Sequence, residues 1–445
     1  MTPFARILRL SAAYLSSNLA RAAIAFGLSL VLGRALGAER FGRWILCTTW
    51  ASTLTVVADL GFGVLLTRDG ARPDAPAGRL LLSSLLMRLA VVVPLGAILV
   101  LAAPRLVTDP EAVAGVQAGA LLGIAGAAYG CFGALFRAQP RWLPAVLAAE
   151  TACLAAQLGG SWWIVHQGGG VVSLVALATL LQVVQIAVAI ALWTIVFGAR
   201  ASVGRPSLDD LRVLLRRAIP FAASSIVANL QTRVAPLLLG YWSTEIDLGW
   251  FAAASRFGKA ARLAPQAMFA GALPVLSHEY GRQGRDARRM FRTFDRALVA
   301  LSLAMAAPCI LLAVPLLRLL YGPSFMNAAP ALVWVGLGLA PALVNSGRKV
   351  ALFAVGGEAI VLRWSAASLA VQMVAAALLI QPFGSVGAAI SIAIAEAAVW
   401  YPLRAAEVSR LKAEDISRAG QLAVDRFEPR GGPLGIVPER PGTRG

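Results

Sequence analysis

Apolar runs of about 20 residues recur along the whole chain, the length a helix needs to cross a bilayer. They fall at approximately 10–33, 41–66, 80–103, 113–136, 143–165 and 171–197. They return at about 218–241, 250–276, 296–320, 330–354, 362–381 and 385–403. In hydrocarbon each backbone amide must be satisfied within its own segment, so such runs fold as helices. The expectation is an all-α integral membrane protein with about twelve transmembrane helices. Of its 445 residues, 58% are hydrophobic and 14% charged, against roughly 25% charged in a soluble domain. The connectors are short and hold turn residues at Gly37, Pro104, Gly168 to Gly170, Gly322–Pro323 and Pro382–Gly384. Two longer basic connectors lie at about 198–217 and 277–295. The amino terminus is basic, and its apolar run extends to Leu32 with no early small-residue cleavage site, so it reads as the first span.

The net charge of +18 is distributed unevenly. With the amino terminus in the cytoplasm, that side holds Arg6, Arg9, Arg68, Arg72, Arg79, Arg137 and Arg141, and most of the two basic connectors. The other side holds Arg34, Arg40, Arg43, Arg105 and Arg318. This asymmetry follows the positive-inside rule and puts both termini in the cytoplasm. No loop is long enough to build a nucleic-acid-binding surface. Part of the basic excess fits contact with anionic membrane lipids.

The halves look alike. Gly33 and Gly42 bracket the loop after the first span; Gly240 and Gly249 bracket the loop after the seventh at the same interval. The turn His166-Gln-Gly-Gly-Gly-Val-Val resembles Ile380-Gln-Pro-Phe-Gly-Ser-Val. Six plus six spans in one orientation would make a parallel repeat. The chain then divides into residues 1–197, residues 198–403, and a cytoplasmic tail at 404–445. The tail is rich in Pro, Gly and Arg, and is expected to lack fixed structure beyond its first helical turns.

Ionisable groups inside the runs carry the functional signal, because each costs about 2.5–3.5 kcal/mol at a helix centre. Arg21 lies near the middle of span one and Arg233 in the second half of span seven. Arg256, Lys259 and Arg262 lie in span eight, where three-residue spacing puts them on one broad face. Arg88 is in span three, and Arg348 and Lys349 are in span ten. The acidic residues are Asp59, Glu150, Glu358 and Glu396. Spans one, two, seven and eight thus hold five cations against one deep carboxylate. A structural network pairs its charges; an unpaired cationic cavity needs an anion. Arg21, Arg233, Arg256, Lys259 and Arg262 are therefore the candidate anion-binding set. Asp59 either pairs with one of these arginines or carries a proton. Arg88 is close enough to the inner interface to snorkel, and Glu150, Glu358 and Glu396 fit helix packing. Pro236 and Pro265, each three residues after an arginine, would kink spans seven and eight.

Cys47, Cys131, Cys153 and Cys309 sit singly in apolar runs as small hydrophobes. His166 and His278 are far apart, so neither a metal nor a cofactor is expected. There is no phosphate-binding glycine loop and no Ser/His/Asp arrangement. The chain reads as a non-enzyme.

Three stretches resemble one family. LGRALGAERFGRW at 32–44 with VVADLGFGVLLTRDGAR at 56–72, LLYGPSFMNAAPAL at 319–332, and PFGSVGAAISIAIAE at 382–396 are similar to motifs of polysaccharide flippases. These belong to the multidrug/oligosaccharidyl-lipid/polysaccharide (MOP) exporter superfamily. The resemblance extends to about residue 405. It implies two six-helix lobes around a central cavity that opens alternately to each side. It implies an undecaprenyl-diphosphate-linked oligosaccharide as substrate, moved from the cytoplasmic to the periplasmic leaflet of a bacterial inner membrane. It further implies an ion gradient as driving force and other polysaccharide assembly proteins as partners. Two alternatives stay open: a multidrug-type small-molecule exporter of the same superfamily, and a non-transporting scaffold for polysaccharide assembly. The first would favour acidic cavity residues; the second would depend on the basic tail.

Overall fold

The computed structural model describes residues 3–72, 75–139, 141–198, 206–263, 284–354 and 356–427. Among these the chain is helical throughout, with no strand. The first half contains α1 (Pro3–Asp59), α2 (Phe62–Gly70), α3 (Ala77–Leu106), α4 (Pro110–Arg137), α5 (Leu143–His166) and α6 (Val171–Phe197). The second contains α7 (Leu208–Trp242), α8 (Glu245–Ala261), α9 (Gly284–Leu311), α10 (Ala313–Leu320), a 3-10 turn at Pro323–Ala328, α11 (Ala329–Ala354) and α12 (Glu358–Phe427).

Seven of these helices are long and apolar enough to cross a membrane. Two of the seven, α1 and α12, are each broken by a glycine with positive φ, Gly37 at 72° and Gly384 at 51°. Glycine takes that backbone without steric cost, so each break separates two spans. A further span is the bent pair α9 and α10, which meet at 77°. The remaining two are α7, which is less apolar than the seven, and α8, which has 17 described residues. The total is the twelve expected, and α7 and α8 with its end carry four of the five candidate cations.

Three boundaries differ from expectation. The basic connector at 198–217 is helical from Leu208, started by a reciprocal capping box between Ser207 and Asp210. The connector at 277–295 is helical from Gly284. The tail from residue 404, expected to lack fixed structure beyond its first helical turns, continues α12 to Phe427. The stretch is rich in Ala, Leu, Glu, Arg and Lys, all strong helix formers. Pro265 lies outside the described residues.

In the first half α4 packs against α1, α3 and α6, and α1 also packs on α5. In the second, α12 packs against α7 and α11, and α11 against α9. The halves meet chiefly where α1 crosses α8. A methyl group added at Gly42 would stand 1.8 Å from the Glu245 carbonyl oxygen, and one at Gly249 would stand 2.0 Å from that of Ala38. Small residues permit such close helix approach. Ala38 and Glu245 are separated in sequence by the same interval as Gly42 and Gly249. The contact is therefore reciprocal, as in a two-fold interface, and the two similar loops meet each other.

Side chains seal the same end. The buried Tyr321 ring occupies the space over Gly33, and its hydroxyl shares a 2.9 Å hydrogen bond with Ser29. Phe41 and Phe325 pack around that ring. Arg34 donates to the Leu320 carbonyl at 2.8 Å. Arg43 pairs with Glu39 at 2.7 Å, Glu111 at 3.0 Å and Asp109 at 3.2 Å within its own half, and with Glu245 across the interface.

Candidate functional site

One helical turn and more beyond the Gly42–Gly249 crossing, the halves part around a cavity of about 530 Å³. Ligand sites typically enclose about 300–1,000 Å³. The second segment of α1 presents Thr48, Thr49 and Ser52 at helical spacing. From α7 come Gln231, Arg233 and Pro236; α8 supplies Arg256, Lys259 and Arg262, with Gly258 leaving room between them. Trp334 of α11 and Gln372 and Glu396 of α12 complete the wall.

Four of the five candidate cations thus share one cavity. Arg233 donates to the Asn229 carbonyl at 3.1 Å and to its side-chain oxygen at 3.3 Å. Its Nε is buried without a partner, and no carboxylate pairs with it among the described residues. The same holds for Arg256 and Lys259. Lys259 is exposed to the cavity space. Arg262 pairs with Glu396 at 3.3 Å. Four cations face one carboxylate among the described lining residues. This charge distribution suits a multiply charged anion, because oriented cationic groups hold phosphate oxygens by charge-assisted bonds.

Arg21 is placed elsewhere. It pairs with Glu150 at 2.6 Å, and Glu150 also accepts from the Tyr129 hydroxyl at 2.7 Å. It is absent from the residues lining the cavity. Its counter-charge sits on α5, beyond any spacing visible in the sequence of span one. Asp59 pairs with Arg88, not with a cation of the candidate set. Arg88, expected to reach the interface, is instead 3% exposed at its side chain and also donates to the Ala127 carbonyl at 3.3 Å. Asp59 ends α1 and accepts the Gly63 amide at 3.1 Å, bridging the break at Leu60–Gly61. Sequence reasoning pointed to Gln231 and Thr232 as polar residues near the cavity but missed Glu396 as a cavity residue, and with it Thr48, Thr49, Ser52 and Gln372. Their signal was weak, because single polar residues in spans are ordinarily helix-packing groups.

The sequence profile of one family, described as "Polysaccharide biosynthesis protein", matches residues 7–278. The chain belongs to this polysaccharide biosynthesis protein family. The matched segment includes the Gly42–Gly249 crossing and all four cavity cations. No curated protein sequence matches the chain. Among solved structures, an inward-facing multidrug resistance MATE family transporter of the MOP superfamily aligns with a TM-score of 0.73 at 16% identity. The alignment covers 90% of this chain and 98% of that one. The lipid II flippase MurJ in an inward closed conformation aligns at 0.68 and 12% identity, covering 91% and 89%. An outward-facing MATE transporter aligns at 0.57 and 17% identity, covering 93% and 97%. The family member therefore has the two-lobed, twelve-helix fold of the MOP superfamily.

Proposed function

We propose that this chain is a flippase that carries a diphosphate-linked oligosaccharide lipid across the bacterial inner membrane by alternating access. The observation that carries the reading is the cavity's charge: Arg233, Arg256, Lys259 and Arg262 against Glu396 alone among the described lining residues. Cations left unpaired at membrane depth are costly, and a diphosphate headgroup offsets that cost whenever it is bound. The cationic wall disfavours the cationic substrates of a multidrug-type exporter. Family membership and the likeness to MurJ support a lipid-linked substrate, and undecaprenyl diphosphate is the carrier in this reading. The polar wall from Thr48 to Ser52, with Gln231 and Gln372, accommodates the first sugars, and the lipid tail stays in the bilayer.

In this reading the Gly42 end faces the periplasm and both termini face the cytoplasm. The sealed end then belongs to the state that receives substrate from inside. The lobes at 1–197 and 198–403 rock about their contact to exchange access, with an ion gradient as the source of work. The test is a deletion strain carrying wild type or the Arg233→Ala and Arg256→Ala variants. Wild type restores glycan export. The variants insert at normal levels, export falls at least about tenfold, which is roughly 1.4 kcal/mol, and lipid-linked oligosaccharide accumulates on the cytoplasmic leaflet. Normal export by both variants would overturn the reading.

A further inference from the structure

Glu396 is the single carboxylate among the described residues lining the cavity. Both of its oxygens are engaged. Arg262 donates to Oε1 at 3.3 Å, and the Asn345 side-chain amide donates to Oε2 at 3.1 Å. Asn345 also donates to the Glu396 backbone carbonyl at 2.8 Å. Asn345 is 1% exposed, so it is held in place and holds the carboxylate in turn. Lys349, one turn along α11, adds positive potential at the same carboxylate.

The two attachments differ in strength. Asn345 is buried and bonds Glu396 twice, at its carboxylate and at its backbone carbonyl, whereas Arg262 makes one bond and its side chain is 39% exposed. Glu396 is therefore anchored on its Asn345 side and only loosely joined to Arg262. It is a built-in anion occupying part of an anion site.

We propose that Glu396 is the resident counter-ion of the cavity and sets its selectivity for diphosphate over phosphodiester headgroups. The inference rests on the reading of the cavity as a diphosphate site. Ordinary phospholipids of the surrounding bilayer carry phosphodiesters, and each such group brings a single negative charge. A phosphodiester that takes Arg262 exchanges one anion for another and leaves Glu396 without its partner, so the electrostatic gain is small. A diphosphate carries more than one charge. It can displace Glu396 from Arg262 and still engage Arg233, Arg256 and Lys259. The carboxylate is thus an element of rejection: it opposes every anion, and the singly charged ones lose first.

The test uses the purified full-length protein in neutral detergent, with binding read by ligand-dependent thermal unfolding. The probes are inorganic pyrophosphate and dimethyl phosphate, a singly charged phosphodiester. Wild type prefers pyrophosphate. Glu396→Gln keeps the shape and still accepts from Asn345; it gains about tenfold or more for dimethyl phosphate, and the preference for pyrophosphate shrinks. Glu396→Asp keeps the charge and retains a preference nearer wild type. An unchanged preference in Glu396→Gln, or equal loss in Glu396→Asp, overturns the inference while leaving the cavity reading intact. Wild type that fails to bind pyrophosphate, or binds it no better than Arg233→Ala, sinks the cavity reading itself. Farnesyl diphosphate, run in parallel, binds more tightly than pyrophosphate if the ligand is lipid-borne; equal affinities overturn that part.

Discussion

Gly42 and Gly249 pack backbone to backbone, each against the loop that holds the other. The Gly249 amide nitrogen would lie 3.0 Å from a methyl group added at Gly42, and the Gly42 nitrogen 3.3 Å from one added at Gly249. The nearer carbonyl oxygens of Glu245 and Ala38 belong to helical backbone and cannot turn aside. Any side chain here must push α1 and α8 apart at the sealed end.

Gly42→Ala and Gly249→Ala are therefore expected to loosen the seal. Overpacking typically costs about 1–3 kcal/mol, enough to shift a two-state equilibrium roughly five- to 150-fold. The measurement is thiol labelling of Ser52→Cys, which lies in the cavity, by a membrane-impermeant reagent applied from the Gly42 side. Labelling should rise in both variants. Unchanged labelling would show that this contact does not hold the end closed.

The Arg43 cluster predicts a pH-dependent rescue. Arg43 stands among Glu39, Asp109, Glu111 and Glu245. Arg43→Ala leaves these carboxylates to repel one another across the interface, and the sealed end should open at pH 7. Burial already pushes the Glu245 carboxyl above its usual range, against the opposing effect of Arg43. Without Arg43 it rises further. A raised carboxyl takes up its proton first as pH falls, so closure in the variant should recover on acidification and fade again as pH rises. Wild type should change less over the same interval. The same cavity-labelling assay, run between pH 5 and 8, checks the sign; labelling that increases on acidification would contradict it.

Much of the fold was legible because the bilayer imposes a length and a polarity on each span. The breaks at Gly37 and Gly384 were legible as turn residues between runs. Helix starts were less so: Ser207 and Asp210 cap α7 within a stretch whose basic composition reads as a connector. For the site, the three-residue spacing of Arg256, Lys259 and Arg262 fixed a shared helix face. Partner choice was not legible. Arg21 finds Glu150, and Arg262 finds Glu396, from helices more than a hundred residues away. Spacing within one helix carries no information about which neighbouring helix supplies the counter-charge.

The Asp59–Arg88 pair is expected to be structural. Arg88 fills the space over Gly130, where an added methyl group would stand 2.2 Å from its guanidinium. Removing one member of a buried pair leaves an uncompensated charge and costs about 3–5 kcal/mol. Asp59→Asn and Arg88→Gln should each lower the yield of folded, inserted protein. The double variant should recover much of it, because neither charge is then orphaned. Size-exclusion profiles after detergent extraction measure this. Singles that fold normally but fail to transport would instead mark Asp59 as part of the coupling machinery.

Arg21 and Arg233 should fail in different ways. Arg21 is paired with Glu150, which is itself only 9% exposed and also accepts from Tyr129. Arg21→Ala removes the partner of a buried carboxylate, so its main effect should fall on stability, and Glu150→Gln in the same chain should restore it. Arg233 has no carboxylate to orphan; its guanidinium bonds to Asn229 and Thr232 and extends along the cavity wall. Arg233→Ala removes a desolvated charge and should leave stability unchanged or slightly raised, while pyrophosphate binding falls at least about tenfold. Thermal unfolding with and without pyrophosphate separates the two cases in a single experiment. A stable Arg21→Ala protein that loses binding as severely as Arg233→Ala would return Arg21 to the anion site and require Glu150 to release it.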